Sequence, residues 1–448
     1  MDRKYELKES ITANNLKYKV ITYGCQMNEH ESEKIRGMVE ELGYVPATSD
    51  DYDLAIFNTC CIRENAEKKI FGNIGALKKR KAENKKMIIA VCGCMTQQKK
   101  VAERMYRSFP FVDIILGTHN ISSFAQMLEY KYFEKKRIME LTDDTGITEG
   151  IPLKREEGPL ASVNIMYGCN NFCSYCIVPY VRGRERSRNT RAILDEINNL
   201  TAEGYREVLL LGQNVNSYHG DDASDFPQLL KKICKETSIK RLRFMTSHPK
   251  DLSDDLIEVI KDNKALCKHI HLPVQSGSSE ILKRMNRAYT REQYLEKIAM
   301  IRSTIPEMII TTDIIVGFPG ETEADYKETL SLIRGVEFDS AYTFVYSKRE
   351  GTKAALMENT VDEALQKSRI MELIDVQNEI TERKNAARVG KIEAVLVEGA
   401  SKRDNNHMCG RTDGGITVNF PGSSDLGGKF VDVKITQAKR TTLFGELM

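Results

Sequence analysis

The sequence predicts an α/β protein with three parts: an N-terminal parallel α/β sheet domain, a central partial (β/α)6 barrel and a small C-terminal all-β barrel. Three observations predict this organisation. Short apolar runs alternate with helical patterns in the N-terminal part of the chain, and a second alternating series follows a polar segment. The rest of the chain carries short strand patterns separated by Gly, Asn and Asp turns.

The N-terminal domain is predicted over residues 17–135. Each strand pattern there is followed by a helical pattern, and strands that alternate with helices form parallel sheets. The strand candidates are KYKVITYG, DYDLAIFNT, MIIAVCGC and VDIILGTH. Residues 136–158, which include the aperiodic stretch DDTGITEGIPLKREEG, are predicted to be a linker.

The central barrel is predicted over residues 159–385 and the small β-barrel over residues 386–448. The central strand candidates are SVNIMYG, EVLLLGQN, RLRFMTS, HIHLPVQSG, EMIITTDIIVGFPG and SAYTFVYS. In such a barrel the chemistry takes place at the carboxyl ends of the strands. The C-terminal strand candidates are IEAVLVEGA, ITVNF and KFVDVKITQA.

Composition limits the classes of function. The 448 residues carry a net charge of only +2, so any surface that binds nucleic acid must be a local patch. The first residues, MDRKYELKES, contain no apolar run typical of a signal peptide, and no stretch is apolar and long enough for a membrane span. We therefore expect a cytoplasmic protein without a membrane partner. Because disulfides are rare in that compartment, some of the 11 cysteines are expected to be metal ligands.

The stretch YGCNNFCSYC places Cys169, Cys173 and Cys176 on one loop after a predicted barrel strand. Three thiolates with this spacing can bind three corners of a [4Fe–4S] cluster and leave the fourth iron open for a substrate or cofactor. A zinc site, which is usually four-coordinate, and buried core cysteines are the alternatives.

Cys25, Cys60 and Cys94 each end a predicted N-terminal strand and precede a helix. Ligands that are distant in sequence can meet at the carboxyl ends of parallel strands, so these residues are candidates for a second cluster. The alternative is that each is a small buried residue at a tight turn. Cys92 lies within an apolar strand and is interpreted as core, whereas Cys61 is expected to enter the following helix.

The cysteine loop resembles the radical S-adenosylmethionine (SAM) superfamily, and Tyr175 fits the usual form of that motif. The resemblance implies that the open iron binds the amino and carboxylate groups of SAM and that electron transfer cleaves SAM to a 5′-deoxyadenosyl radical. The segment IIVGFPGET, which contains Gly317, resembles a SAM-binding segment of the superfamily, although a plain strand-to-helix turn explains its glycines equally well. Further candidates for SAM or substrate contacts are polar residues near predicted strand ends, each of which could instead be structural: Gln213, His248, Gln275 and Asp313.

The chain also resembles the methylthiotransferases, from about Tyr18 to the C-terminus. This resemblance rests on the cysteine loop taken together with YGCQMN, FNTC and GC. That resemblance implies that Cys25, Cys60 and Cys94 bind an auxiliary [4Fe–4S] cluster that takes part in sulfur insertion. It also implies that one SAM donates a methyl group while another yields the radical, and that the C-terminal module is an RNA-binding TRAM barrel. Cys61 stands where the family often has Ser, so a substitute-ligand role stays open for it, as it does for Cys92.

Three further segments resemble the branch of this family that acts on isopentenyladenosine in tRNA, the MiaB type: GQNVNSY, TSHPKDLSDDLI and HLPVQSGSSEILKRMNRAYTREQY. The implied reaction is methylthiolation of adenine C2 in N6-isopentenyladenosine beside the tRNA anticodon. A flavodoxin or ferredoxin is the expected electron donor, and the sulfur donor is not indicated. The alternatives are threonylcarbamoyl-adenosine in tRNA, a ribosomal-protein aspartate, or a non-catalytic RNA-binding iron–sulfur sensor.

A run of arginines follows the cysteine loop and contains a single acid, Glu185. Such a run is most often a solvated face. After a cluster loop, and in a chain with an RNA-binding module, contact with RNA phosphates is the better interpretation, because guanidinium groups bind phosphate oxygens bidentately. The predicted RNA-binding residues are Arg182, Arg184, Arg186, Arg188 and Arg191.

Overall fold

The computed structural model describes residues 3–61, 64–144, 146–222, 224–402 and 404–448. The chain divides into two compact units. The N-terminal unit contains residues 1–156, 167–170 and 177–186, and the C-terminal unit contains the remainder. Within the described residues, no helix combines the length and the apolar character needed to cross a membrane.

The N-terminal unit is built on one parallel sheet of six strands in the order β2-β1-β3-β4-β5-β6. Its central strands are buried along their whole length, which explains their continuous apolar sequences, and a hydrophobic core lies on each face of the sheet. The strands are β1 (Lys17–Thr22), β2 (Val45–Pro46), β3 (Leu54–Thr59), β4 (Ile88–Gly93), β5 (Ile114–Leu116) and β6 (Ile138–Glu140).

Helices follow the strands, as the alternating pattern predicts. The helices of this unit are α1 (Arg3–Ala13), α2 (Gln26–Glu41), α3 (Glu64–Glu83), α4 (Cys94–Gln97), α5 (Lys99–Ser108), α6 (Phe124–Glu134) and α7 (Val178–Arg182), with a 3-10 helix at Ile121–Ser123.

Two elements of this unit lie outside the predicted domain of residues 17–135. Helix α1 precedes it and contributes Leu7 and Ile11 to the core, and strand β6, within the predicted linker, extends the sheet beside β5. Both are weak sequence signals, because α1 buries only two apolar side chains and β6 is a short, largely exposed edge strand. The sheet therefore continues into the segment that the sequence suggested was a linker.

The C-terminal unit begins with six parallel strands in two three-stranded sheets, ordered β11-β10-β7 and β12-β13-β14. Backbone hydrogen bonds connect the two sheets, including one from Ser247 N to His271 O. The predicted six-stranded partial barrel is thus confirmed. Its strands, with two short strands that flank the cysteine loop, are β7 (Leu160–Asn164), β8 (Met166–Tyr167), β9 (Arg186–Ser187), β10 (Glu207–Leu211), β11 (Arg241–Phe244), β12 (His269–His271), β13 (Ile309–Val316) and β14 (Ser340–Val345).

Helices cover the outside of the barrel strands and share a single hydrophobic core with them. They are α8 (Thr190–Ala202), α9 (Phe226–Glu236), α10 (Asp254–Asp262), α11 (Ser279–Arg284), α12 (Arg291–Thr304), α13 (Glu323–Val336) and α14 (Glu363–Ala386), with 3-10 helices at Val215–Ser217, Pro249–Asp251 and Lys353–Leu356.

The chain ends in a closed five-stranded barrel in the order β15-β16-β17-β19-β18, which confirms the predicted small β-barrel. Two of its strands, β16 and β19, were not among the strand candidates. The strands are β15 (Ile392–Ser401), β16 (Asp404–Thr412), β17 (Thr417–Pro421), β18 (Phe430–Ala438) and β19 (Thr442–Leu447), with a 3-10 helix at Ser424–Leu426.

The turn between β16 and β17 packs against the amino-terminal ends of the central strands. Arg243 of β11 donates to the Thr412 carbonyl at 3.3 Å, and the Lys268 amide donates to Asp413 Oδ2 at 2.7 Å. A Cβ at Gly414 would lie only 2.6 Å from Ile309 of β13, so this position requires a residue without a side chain. The turn closes this end of the partial barrel and leaves the carboxyl ends of its strands as the approach.

Candidate functional site

The three predicted N-terminal ligands follow neighbouring strands of one sheet. Cys25 follows β1 and is the exposed N-cap of α2, whereas Cys60 follows β3 and Cys94 follows β4 directly, both buried. The strand ends approach closely, because a Cβ at Gly93 would lie 2.3 Å from the Thr59 carbonyl oxygen. Gly93 also has a φ of 103°, which favours glycine. The fold therefore brings the three cysteines to one edge of the sheet.

The pKa values of the Cys61 and Cys94 thiols shift in opposite directions. A hydrogen bond from Cys61 is the main cause that lowers the pKa of Cys94, and the Arg182 charge lowers it further although burial opposes both. The same hydrogen bond, together with burial, raises the pKa of Cys61 well above its ordinary value. Thiolates are the metal ligands, so Cys94 suits ligation and Cys61 suits donation of a hydrogen bond to it. Cys92 is fully buried in the core, as expected.

All 11 cysteines lie in the described part of the chain, and none forms a disulfide. Across the described ranges, no three His, Cys, Asp or Glu side chains are placed to hold a single metal ion.

Arg182, predicted to contact RNA, is instead buried in the N-terminal unit. Its guanidinium donates to both carboxylate oxygens of Glu31, at 2.6 and 3.2 Å, and only 5% of the residue is exposed. Burial disfavours its charge, but Cys94 and Glu31 outweigh that effect and raise its pKa well above the ordinary value. A phosphate contact for Arg182 is therefore not supported. Its position gives the three-cysteine edge a fixed positive charge.

Arg188, also predicted to contact RNA, is buried in the C-terminal unit. It donates to the Asn164 carbonyl and to Glu196 Oε2, both at 2.7 Å. Only Arg184 and Arg191 of the run are exposed, and Arg191 pairs with Asp195 at 2.7 Å. The structure therefore leaves Arg184, Arg191 and the half-buried Arg186 as the members of the run that an RNA phosphate can reach.

Arg186 lines an open cavity in the N-terminal unit. Lys34, His119 and the ion-paired Arg182 and Glu31 also form its wall. Burial, and then the charges of Arg186 and Arg182, lower the pKa of His119. Positive charge is thus concentrated in this cavity, a setting that suits an anionic group such as a phosphate.

The cysteine loop of the central motif spans both compact units: Cys169 belongs to the N-terminal unit, and Cys173 and Cys176 belong to the C-terminal unit. A tight turn joins the last two, with the Cys176 amide donating to the Cys173 carbonyl at 2.9 Å. Arg287 donates to Cys173 Sγ at 3.4 Å and is buried. Sequence reasoning missed Arg287, because nothing in its local pattern distinguishes it from a surface arginine.

Buried polar atoms without a hydrogen-bond partner collect after strands β10 and β11. Among the described residues these include Gln213 Oε1, Ser247 Oγ and His248 Nε2. Burial is the main cause that lowers the pKa of His248 to about 2, so its ring is neutral near pH 7. Its Nδ1 accepts from the Lys250 amide at 3.2 Å, which leaves Nε2 to donate. Unpartnered buried polar atoms are costly, so this edge fits a polar ligand such as SAM.

The other three predicted SAM contacts lie near strands β12 and β13. Asp313 is within β13, Gly317 directly follows β13, and Gln275 follows β12. Gln275 has a φ of 72° and its amide donates to the Asp313 carbonyl at 2.9 Å. The Gly317 amide donates to Glu321 Oε2 at 2.8 Å, and its carbonyl accepts from Gln366 at 3.2 Å. Both backbone groups of Gly317 are therefore occupied by protein partners, which favours the alternative of a structural turn over a SAM contact.

Three family models match the chain in succession. A model described as an uncharacterized protein family, UPF0004, matches residues 17–117. The radical SAM superfamily matches residues 163–333, and the TRAM domain matches residues 386–448. Each model falls within one of the three predicted domains, whose boundaries stay predictions.

Relatives with known names match over nearly the whole chain. A protein from Caldicellulosiruptor saccharolyticus is 51% identical over 100% of this chain and 95% of its own length. Proteins from Clostridium tetani (54% identical, 95% of each chain) and Carboxydothermus hydrogenoformans (53% identical, 96% of this chain and 99% of theirs) are similarly related. All three are named tRNA-2-methylthio-N(6)-dimethylallyladenosine synthase.

Solved structures support the fold. The radical SAM methyltransferase TsrM from Kitasatospora setae aligns with a TM-score of 0.55 at 13% identity, covering 76% of this chain and 77% of its own. The cobalamin-dependent SAM radical enzyme OxsB aligns with a TM-score of 0.52 at 11% identity, covering 83% and 57%. At these identities the likeness concerns the fold alone.

Proposed function

This chain belongs to the family of tRNA-2-methylthio-N(6)-dimethylallyladenosine synthases, and from that premise we propose that it methylthiolates adenine C2 of N6-isopentenyladenosine beside the tRNA anticodon. It is a radical SAM enzyme with tRNA as its substrate. The position beside the anticodon and the two separate uses of SAM belong to the proposal.

Two [4Fe–4S] clusters and SAM, when bound, would supply the radical that activates C2 and the sulfur and methyl group that reach it. Cys169, Cys173 and Cys176 would hold the first cluster, with Arg287 donating to Cys173. Cys25, Cys60 and Cys94 would hold the auxiliary cluster. The chain's own part is to fix these thiols and to present polar atoms to SAM at the carboxyl ends of the barrel strands.

Several side chains are available for polar contacts with SAM. Gln213, Ser247 and His248 carry buried atoms that a bound ligand would satisfy. Arg287 lies between the cysteine loop and the strand ends, where it donates to the Pro273 carbonyl at 2.7 Å as well as to Cys173. These contacts would orient the cofactor and exclude water from it.

The tRNA would be held by the TRAM barrel together with the accessible arginines Arg184, Arg186 and Arg191. Guanidinium groups suit phosphates, because they offer paired donors at fixed geometry. A flavodoxin or ferredoxin is the proposed electron donor, and the cytoplasm, where tRNA is modified, is the proposed location.

The observation that carries this proposal is the placement of Cys25, Cys60 and Cys94 after adjacent strands of the N-terminal sheet. The test is mass spectrometry of tRNA nucleosides from a deletion strain complemented with the wild-type gene, with Cys94→Ala, or with Cys234→Ala as a matched control. We expect 2-methylthio-N6-isopentenyladenosine with the wild type and the control, and only its unmodified precursor with Cys94→Ala. A product derived from threonylcarbamoyl-adenosine instead would contradict the proposal, and a purified reduced protein that does not cleave SAM would favour the non-catalytic sensor.

A further inference from the structure

One face of the sheet β12-β13-β14 carries aromatic side chains that the core does not cover. In the parallel register Asp313 lies beside Tyr342 and Ile315 lies beside Phe344. The residues on either side of this pair in β14, Ala341 and Val345, pack against the hydrophobic core that includes helix α14. Because side chains alternate along a strand, Tyr342 and Phe344 project from the opposite face, inside the partial barrel.

These two aromatic residues are unusually exposed. Tyr342 is 55% exposed and Phe344 is 40% exposed, although both lie within barrel strand β14. Strand β14 is also the edge of its sheet, so the face that it forms is open along one side. Two neighbouring exposed rings at a concave surface are a feature of binding sites rather than of ordinary protein surface.

Three polar side chains, His271, Asp313 and Thr311, contact one another beside these rings. The His271 and Tyr342 rings pack at an interplanar angle of 74° with their centroids 5.9 Å apart. His271 Nε2 lies 3.4 Å from Asp313 Oδ1, and its Nδ1 lies 3.0 Å from Thr311 Oγ1. The Asp313 carboxylate is therefore held beside the aromatic wall as a hydrogen-bond acceptor.

Access to this face is from the carboxyl ends of the strands, because the β16–β17 turn closes the other end of the barrel. Gln213 and His248, two of the proposed polar contacts for SAM, follow strands β10 and β11 at that same open end. A base that entered there would meet the aromatic face within the barrel, next to the site of the cofactor.

We propose that Tyr342 and Phe344 form the subsite for the N6-dimethylallyl group of the substrate adenine, with Asp313 accepting a hydrogen bond from the N6–H. This inference rests on the proposed function. An N6-alkylated adenine combines a flat ring and a branched apolar group with a single N6–H donor, which matches two rings and one carboxylate. The same carboxylate would repel the negatively charged threonylcarbamoyl group, so the subsite also selects against the alternative tRNA substrate.

The test is to compare the affinities of the full-length protein for two anticodon stem-loop RNAs, one with isopentenyladenosine and the other with adenosine. We expect the wild type to bind the isopentenyl RNA more tightly. The double variant Tyr342→Ala/Phe344→Ala should lose about tenfold or more of that affinity, while its affinity for the adenosine RNA changes far less. Tyr342→Phe should keep the preference, because the ring and not the hydroxyl makes the contact.

Tyr5→Ala is the matched control, because Tyr5 is also 55% exposed but lies on α1. It should leave both affinities unchanged. If the double variant keeps the wild-type ratio of the two affinities, whether both affinities are unchanged or both fall by the same factor, the subsite is overturned. Failure of the proposed function is distinguishable, because it would appear as a wild type that does not methylthiolate the isopentenyl RNA, whatever the affinity ratio.

Discussion

Arg182 and Glu31, which are 151 positions apart in the sequence, form a buried two-point ion pair in the N-terminal unit. Glu31 lies on α2, about one and two-thirds turns after Cys25, and Arg182 is the last residue of α7. The charges of Cys94 and Glu31 both raise the pKa of Arg182. The ion pair thus connects α2, which begins after the proposed ligand Cys25, with the arginine whose charge lowers the pKa of the proposed ligand Cys94.

Arg182→Met should destabilise the N-terminal unit by about 3–5 kcal/mol, because it leaves the Glu31 carboxylate buried without a partner. Hydrogen exchange at the amides of β3 and β4 measures this loss. Replacing both partners, with Glu31→Leu added, should recover much of the stability. Arg191→Met, which removes an exposed pair with Asp195, should cost less than about 1 kcal/mol. Equal effects of Arg182→Met and Arg191→Met would show that the buried pair has no special role.

Two sets of cysteines should each account for about half of the iron bound after anaerobic reconstitution, since thiolates are the usual cluster ligands. Alanine substitution of Cys169, Cys173 and Cys176 together should remove one half. The same change at Cys25, Cys60 and Cys94 should remove the other half. Cys234→Ala and Cys409→Ala should retain all the iron. Full iron content in either triple variant would refute that ligand set.

Gln substitution of Arg184, Arg186 and Arg191 together should weaken tRNA binding and flatten its salt dependence. Each lost phosphate contact should reduce the slope of log affinity against log salt by roughly 0.7–0.9. Titrations at several salt concentrations measure the slope. Arg188→Gln should instead act through stability, because Arg188 is buried against Glu196 and the Asn164 carbonyl. A triple variant with the wild-type slope would remove these arginines from the RNA interface.

Stability should fall with acidification through the buried histidine His269. Burial is the main cause that lowers its pKa from 6.5 to about 3, and the positive Arg243 and the neighbouring His271 lower it further. Below about pH 6.5 His269 binds a proton in the unfolded chain but stays neutral in the folded chain. Each pH unit of acidification towards pH 3 therefore lowers the free energy of unfolding by about 1.4 kcal/mol. Unfolding by urea at pH 6 and pH 5, followed by circular dichroism, measures this slope. His269→Asn should make it shallower, and His219→Asn, at an exposed position, should not; an identical slope for all three proteins would contradict the assignment.

Local patterns were sufficient to predict most of the strands and helices, although not α1, β6, β16 or β19, and to place three N-terminal cysteines at strand ends. Apolar runs and helical periodicity extend over a few residues, and parallel strands that share a sheet place their ends at one edge. Cys25, Cys60 and Cys94 could therefore be grouped from sequence. The alternation in SAYTFV also places Tyr342 and Phe344 on one face of β14, a signal that could have identified them as a pair.

The tertiary structure alone decided how the arginine run is divided. Arg182, Arg184 and Arg188 look alike in sequence, but the first pairs with Glu31 and the third with Glu196, while the second is exposed. The role of a charged side chain depends on the partner that the fold brings to it, and here the Arg182 partner lies 151 positions away. Burial of a charge is stable only when such a partner is present, and no local pattern records where the partner will be.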